Sequence, residues 1–200
     1  TRICVYDRPG TRPDGSDRST PVPQPHTVVD DVDDVVRLIA AAHLPGPFVV
    51  AAHSYGGLVA DLLARTRPDL VSGLVMVDPV SEFQQAVGTP AQNATFDRDG
   101  RVPATPGGEG VLFDDAFARI DVAPELPDIP AAVLSSGKFP PPAMLTPQNY
   151  TLEQIHRANA MLATELHTTN RIVADSGHNV MLYAPEDVAD TIVSIVQRAR

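Results

Sequence analysis

The feature that most restricts the fold of this chain is a recurrence of short, continuous apolar runs, each followed by residues at helical spacing. Residues 3–6, 48–52, 74–77, 131–134 and 171–174 read as strands. The run 48–52 is apolar at every position, the pattern of a parallel strand buried on both faces. Between the runs, Val28, Val32, Val35, Val36 and Ile39 recur at helical spacing behind Thr27 and Asp30, which are placed as a capping box. The acids Asp30, Asp31, Asp33 and Asp34 then lie near the positive end of that helix dipole. A helix over 58–67 is stopped by Pro68, and one over 151–166 opens on a second capping box, Thr151 and Gln154. Pro185 begins a last helix carrying Val188, Ile192, Ile195 and Val196. Strands alternating with helices along the whole length predict an α/β fold, a three-layer α/β/α sandwich around a mainly parallel sheet.

The 200 residues fit one domain, 1–200, able to bury roughly 70% of the surface of the unfolded chain. Residues 81–128 interrupt the alternation. They are rich in Gly, Pro and Asp, show one weak helical patch at 113–120, and are expected to form a lid or cap-like insertion. The proline clusters at 9–25, 124–130 and 140–147 are read as loops.

With 15 basic against 25 acidic residues the net charge is −10, which argues against a nucleic-acid partner. Cys4 is the one cysteine, so an internal disulfide framework and a cysteine zinc site are excluded, and its apolar neighbours suggest a buried thiol. No apolar run reaches 18 residues, and the first residues lack the pattern of a signal peptide. The chain is read as soluble with the cytoplasm favoured, and its N-terminus as truncated. The Gly-rich runs YGGL and PGGEG lack the spacing of phosphate-binding loops, and neither a cofactor nor a metal is expected.

The chemistry concentrates around Ala52-His53-Ser54-Tyr55-Gly56, where a strand meets a helix. A sharp turn at that junction exposes a serine and requires small residues two positions to either side, a demand that Ala52 and Gly56 meet. The competing account is that Ser54 caps the helix. Ser176-Gly177-His178-Asn179 follows the last strand, and loops at strand C-termini are where α/β folds place functional groups. The other histidines, His26, His43, His53, His156 and His167, are assigned to loops, helices or packing near the site. A histidine base needs an orienting acid, here expected between 54 and 178 in the chain. The turn after 131–134 holds Ser135, Ser136, Gly137 and Lys138, with no carboxylate. Asp78, at the end of the run LVMVD, is the acid a strand would hold rigidly. A turn role before Pro79 is its alternative. Asp175 stands only three residues before His178, and Asp114, Asp115 and Asp121 lie in the insertion.

Taken together, AAHSYGG, LVMVDPV and ADSGHNVMLYAPEDVADTIVSIV resemble the serine-nucleophile α/β-hydrolase superfamily, esterase- and lipase-like. CVYDRPG resembles the strand and turn that precede the superfamily's first conserved crossover helix. The resemblance covers essentially the whole chain but begins at the superfamily's fourth strand, so its first three strands are expected to be missing, leaving a gap beside the serine turn. It implies Ser54 as nucleophile, His178 as base and Asp78 as acid, the last as in pancreatic-type lipases with the acid after the sixth strand. It also implies the Tyr55 backbone N–H as one oxyanion donor. The reaction implied is cleavage of a carboxylic ester or related acyl bond of a small molecule through an acyl-enzyme. Two alternatives stay open: a non-catalytic member that binds a small molecule in the same place, and perhydrolase or lactonase chemistry with the same triad.

Overall fold

The computed structural model describes residues 2–11, 20, 22–103, 108–138 and 145–200. Parts of the predicted loops at 9–25 and 140–147, and part of PGGEG, lie outside the described residues. Four parallel strands, β1 (Phe48–His53), β2 (Val71–Val77), β3 (Ala131–Ser136) and β4 (Asn170–Val173), form one sheet in the order β1-β2-β3-β4. Parallel neighbours require crossovers, and helices supply them. The described helices are α1 (Val28–Ala41), α2 (Gly56–Thr66), α3 (Phe83–Val87), α4 (Pro90–Gly100), α5 (Phe113–Asp121), α6 (Leu152–Glu165), α7 (Val180–Tyr183) and α8 (Pro185–Arg198), of which α2, then α3 to α5, then α6 lie between successive strands.

The strands alternate their side chains between two helical layers, as period-two geometry dictates. Leu74, Met76, Ala131 and Val133 face the layer of α1, α2, α5 and α6, where Leu58, Leu62, Phe117 and Leu162 complete the larger core. Val75, Val77, Leu134 and Val173 face α7 and α8 and pack with Val180, Val188 and Ile195. The α/β/α sandwich is therefore the observed architecture, and the capping boxes at Thr27 and Thr151 both form.

Four expectations need correction. Residues 3–6 form no strand: Ile3 and Val5 are 82% and 92% exposed, and none of the described strands pairs with the segment. Cys4, in the same segment, is exposed rather than buried. β1 is only half-buried, with Ala51 exposed, because it stands at the end of the sheet and pairs along one edge alone. The described residues of 81–128 hold three helices rather than one weak patch. The clearest is α4, opened by Thr89 and Gln92 as a third capping box with Pro90 in its first turn.

Candidate active site

Parallel strands all end at one edge of their sheet, so the residues that follow them are brought together whatever their separation along the chain. Ser54 follows β1, Asp78 follows β2, Ser136 ends β3, and His178 lies on the loop between β4 and α7.

At the first of these strand ends the backbone turns sharply. Ser54 has φ 55°, a left-handed conformation rare for a residue with a Cβ and costly by about 1–3 kcal/mol. Hydrogen bonds over-determine the turn: Ser54 N–H donates to Val77 O, while Ser54 O accepts from Gly57 N–H and Val80 N–H, both at 2.9 Å. Ser54 does not cap α2, whose N-cap is Tyr55 without a side-chain bond. The steric demand falls mainly on Gly57, where an added Cβ would lie 2.6 Å from Pro79 Cβ and 3.0 Å from Val80 O. At Gly56 the same atom would make ordinary contact with Ala52 Cβ at 3.8 Å.

The Ser54 hydroxyl lies 3.0 Å from His178 Nε2, and His178 Nδ1 lies 2.7 Å from Asp78 Oδ2. A carboxylate on Nδ1 makes that nitrogen the N–H donor of the neutral ring, which leaves Nε2 as an acceptor for the serine proton. Asp78 is buried and also adopts a positive φ, 41°, a conformation that Asp tolerates better than most residues. Its carboxylate accepts from Ser136 N–H and Ser136 Oγ, each at 2.9 Å. Burial alone would push the Asp78 carboxyl up. The bonds from His178 and Ser136, with the charge of the imidazole, outweigh that cost and hold it below the usual carboxylate range.

Ser136 is the site residue that sequence reasoning missed. It occupies the turn where an acid was sought, and it serves the acid of the neighbouring strand instead. Its own carbonyl accepts from His156 Nε2 at 2.7 Å, and Asn159, also on α6, donates to Ser135 Oγ at 2.8 Å. Ser176, fully buried, anchors the His178 loop by donating its hydroxyl to Val173 O, and its carbonyl accepts from Gly137 and Lys138 N–H. The rejected acids stand apart from His178: Asp175 pairs with Lys138 on the surface, and Asp114 and Asp115 bond to Gln85 and Arg119.

Beneath the turn lies a second polar group that the sequence did not signal. Tyr55 donates its hydroxyl to the buried Asp31 of α1 at 2.5 Å. Arg8 stacks over the Tyr55 ring at 5.1 Å while forming a two-pronged pair with Glu109. Asp31 thus does more than complement the helix dipole. Burial pushes its carboxyl up, and the Tyr55 bond and the Arg8 charge counter only part of that.

The three aligned residues are reachable: the His178 side chain is 52% exposed and Ser54 is half-buried. No described residue accepts a hydrogen bond from Tyr55 N–H. A groove of about 420 Å³ between β3, β4 and α8 contains none of the three, so cavity size does not mark this site. Among the described residues no group of three His, Cys, Asp or Glu side chains is arranged to hold a metal ion, and no helix is long and apolar enough to cross a membrane.

Comparison with known proteins agrees with the geometry. The profile of the alpha/beta hydrolase family matches residues 1–191. Among curated proteins, Lipase LipV of Mycobacterium tuberculosis is 59% identical over 34 residues, which are 17% of this chain and 13% of LipV. The curated relatives are matched over only 13 to 28% of their own length. Among solved structures, the N-acyl homoserine lactonase AidH, complexed with N-butanoyl homoserine, superposes with a TM-score of 0.60. That likeness covers 96% of this chain and 77% of AidH at 13% identity. The monoacylglycerol lipase of Paleococcus ferrophilus superposes with a TM-score of 0.54 over 87% of this chain and 77% of its own, at 17% identity. At such identities these two likenesses are ones of fold. The family match over nearly the whole length, on a parallel sheet flanked by helices, establishes that the chain belongs to the alpha/beta hydrolase family.

Proposed function

We propose that the protein is a serine hydrolase that cleaves a carboxylic ester or related acyl bond of a small molecule, with Ser54 as nucleophile, His178 as general base and Asp78 as its orienting acid. The observation that carries this reading is the continuous line of Ser54 Oγ to His178 Nε2 at 3.0 Å and His178 Nδ1 to Asp78 Oδ2 at 2.7 Å, set on a strained strand-to-helix turn.

In the first step His178 Nε2 takes the Ser54 proton as Oγ bonds to the acyl carbon, and the carbonyl electrons move onto oxygen. The unspent Tyr55 N–H at the start of α2 is one donor to that oxyanion, and a donor of this kind contributes about 10²–10³ in rate. Asp78 remains ionised and stabilises the imidazolium. As the tetrahedral intermediate collapses, the bond to the leaving alcohol breaks and the imidazolium returns its proton to it. Water, deprotonated by the same nitrogen, then attacks the acyl carbon, and as the second tetrahedral intermediate collapses the bond to Ser54 Oγ breaks, the acid leaves and the imidazolium returns its proton to Ser54. Residues 81–128 act as the lid of this single domain and select the acyl group. The likenesses to Lipase LipV and to the Paleococcus ferrophilus lipase support an ester, and the fold likeness to AidH makes an acyl lactone the second substrate to assay, since the attacked carbonyl is of the same kind.

The test combines turnover of p-nitrophenyl acetate and of an acyl lactone with labelling by a fluorophosphonate. Ser54→Ala is expected to abolish labelling and to reduce turnover by about 10⁴-fold or more. Labelling that persists in Ser54→Ala, or turnover unaffected by it, would overturn the assignment.

A further inference from the structure

Ser54 and His178 follow the two outer strands of the sheet, β1 and β4, with β2 and β3 between them. Neighbouring strands are spaced about 4.8 Å apart, so the His178 loop spans roughly 14 Å to reach the serine. On the β4 side the loop is fastened through Ser176, and on the β1 side His53 meets it. The His53 ring packs 4.5 Å from the His178 ring, centroid to centroid, with the planes 43° apart. His53 Nε2 donates to the His178 backbone carbonyl at 2.9 Å, and Val180 N–H donates to the same oxygen at 2.9 Å. Both lone pairs of that carbonyl are thereby used.

We propose, resting on the triad reading above, that His53 is a positioning residue: it clamps the far end of the His178 loop and holds the imidazole against Ser54. Half of the His178 side chain is open to solvent, so few contacts fix its orientation, and His53 provides two of them, one to the ring and one to the backbone. The adjacency matters as well. His53 and Ser54 are consecutive, so the segment that presents the nucleophile also grips the base, and the distance between them is set at one strand end. The carbonyl acceptor makes Nε2 the protonated nitrogen of a neutral His53. Burial favours that neutral form by pushing the His53 proton affinity down. Its bond to the His178 carbonyl and the Asp78 charge push the other way, a cation on His178 pushes down again, and the balance lies below the usual range. A neutral neighbour leaves the positive charge that develops on His178 to Asp78 alone.

His53→Phe keeps an aromatic ring but loses the donor, whereas His53→Gln keeps an amide N–H able to reach the carbonyl. In His53→Phe we expect kcat to fall about 10- to 100-fold with KM within about twofold. The low-field NMR resonance of the proton between His178 Nδ1 and Asp78 is expected to broaden or vanish. His53→Gln is expected to restore the resonance and bring kcat to within about threefold of the wild-type value. Should His53→Phe unfold, judged by thermal melting, His53→Asn replaces it, being one methylene too short to reach. A His53→Phe or His53→Asn protein with unchanged kcat and an unchanged resonance would overturn the proposal, as would equal values for His53→Gln and His53→Asn. The resonance needs no substrate, which separates the two readings. If the wild-type protein turns over no acyl substrate, the triad reading fails while the effect of His53 on His178 is still measured.

Discussion

Ser54 is held in a conformation that its own side chain opposes. Glycine adopts a φ of 55° without penalty, so Ser54→Gly is expected to raise stability in chemical denaturation by about 1 kcal/mol while eliminating hydrolysis; equal or lower stability would mean that the turn stores no strain. The same residue illustrates how far a local motif can be read. The serine, the small residues around it and the histidine far downstream were legible because each has a signature of type and position. The role of Ser136 was not, because a serine at a strand end has no signature, and only the pairing of β2 with β3 brings it to Asp78. Tyr55 and Asp31 are a similar case, joined only because α1 packs on α2.

At the level of single elements, the helix starts at Thr27, Thr151 and Pro185 are legible because a capping box or an N1 proline serves the first turn locally and needs no partner from elsewhere. Helix α4 carries the same signal in Thr89, Pro90 and Gln92, although Gly, Pro and Asp residues around it mask the helical pattern. Gln92 also reaches across to Asn149 O and Gln154, so the cap joins the 81–128 segment to the start of α6. Thr89→Ala is expected to cost about 1 kcal/mol in thermal or chemical unfolding, and a loss under about 0.3 kcal/mol would show the cap to be dispensable. The strand forecast for 3–6 failed for the opposite reason: β-propensity describes fit to a partner, and none of the described strands lies beside that segment.

Across the whole molecule, Arg65 ties the segment between β2 and β3 to the rest. It bonds to Asp61 on its own helix, to Glu82 and Pro124 O near the two ends of that segment, and to Glu165 on α6. Three carboxylates thus share one guanidinium. Burial pushes Asp61 up, and burial with the neighbouring carboxylates pushes Glu82 up to about 8. Between about pH 4.5, the usual Glu value, and about 8 the folded chain then holds more protons here than the unfolded one, so stability falls as pH rises through that window. Asp78 works in the other direction, losing its contribution as pH falls below its usual value of 3.8. Glu82→Gln is therefore expected to melt higher than wild type at pH 9, on a scale of about 2–4 °C per kcal/mol, and to show no advantage at pH 5; a difference independent of pH would refute the assignment. The sequence by itself determined the layered α/β architecture, the turn at Ser54 and the residues most able to act with it, because periodicity, caps and turn chemistry are local. Only the tertiary structure decided that Asp78 lies against His178, that Ser136 bonds to the Asp78 carboxylate and His53 to the His178 backbone, and that β1 stands at the sheet edge. Those outcomes depend on strand order, and strand order is a property of how the layers pack rather than of any stretch of residues.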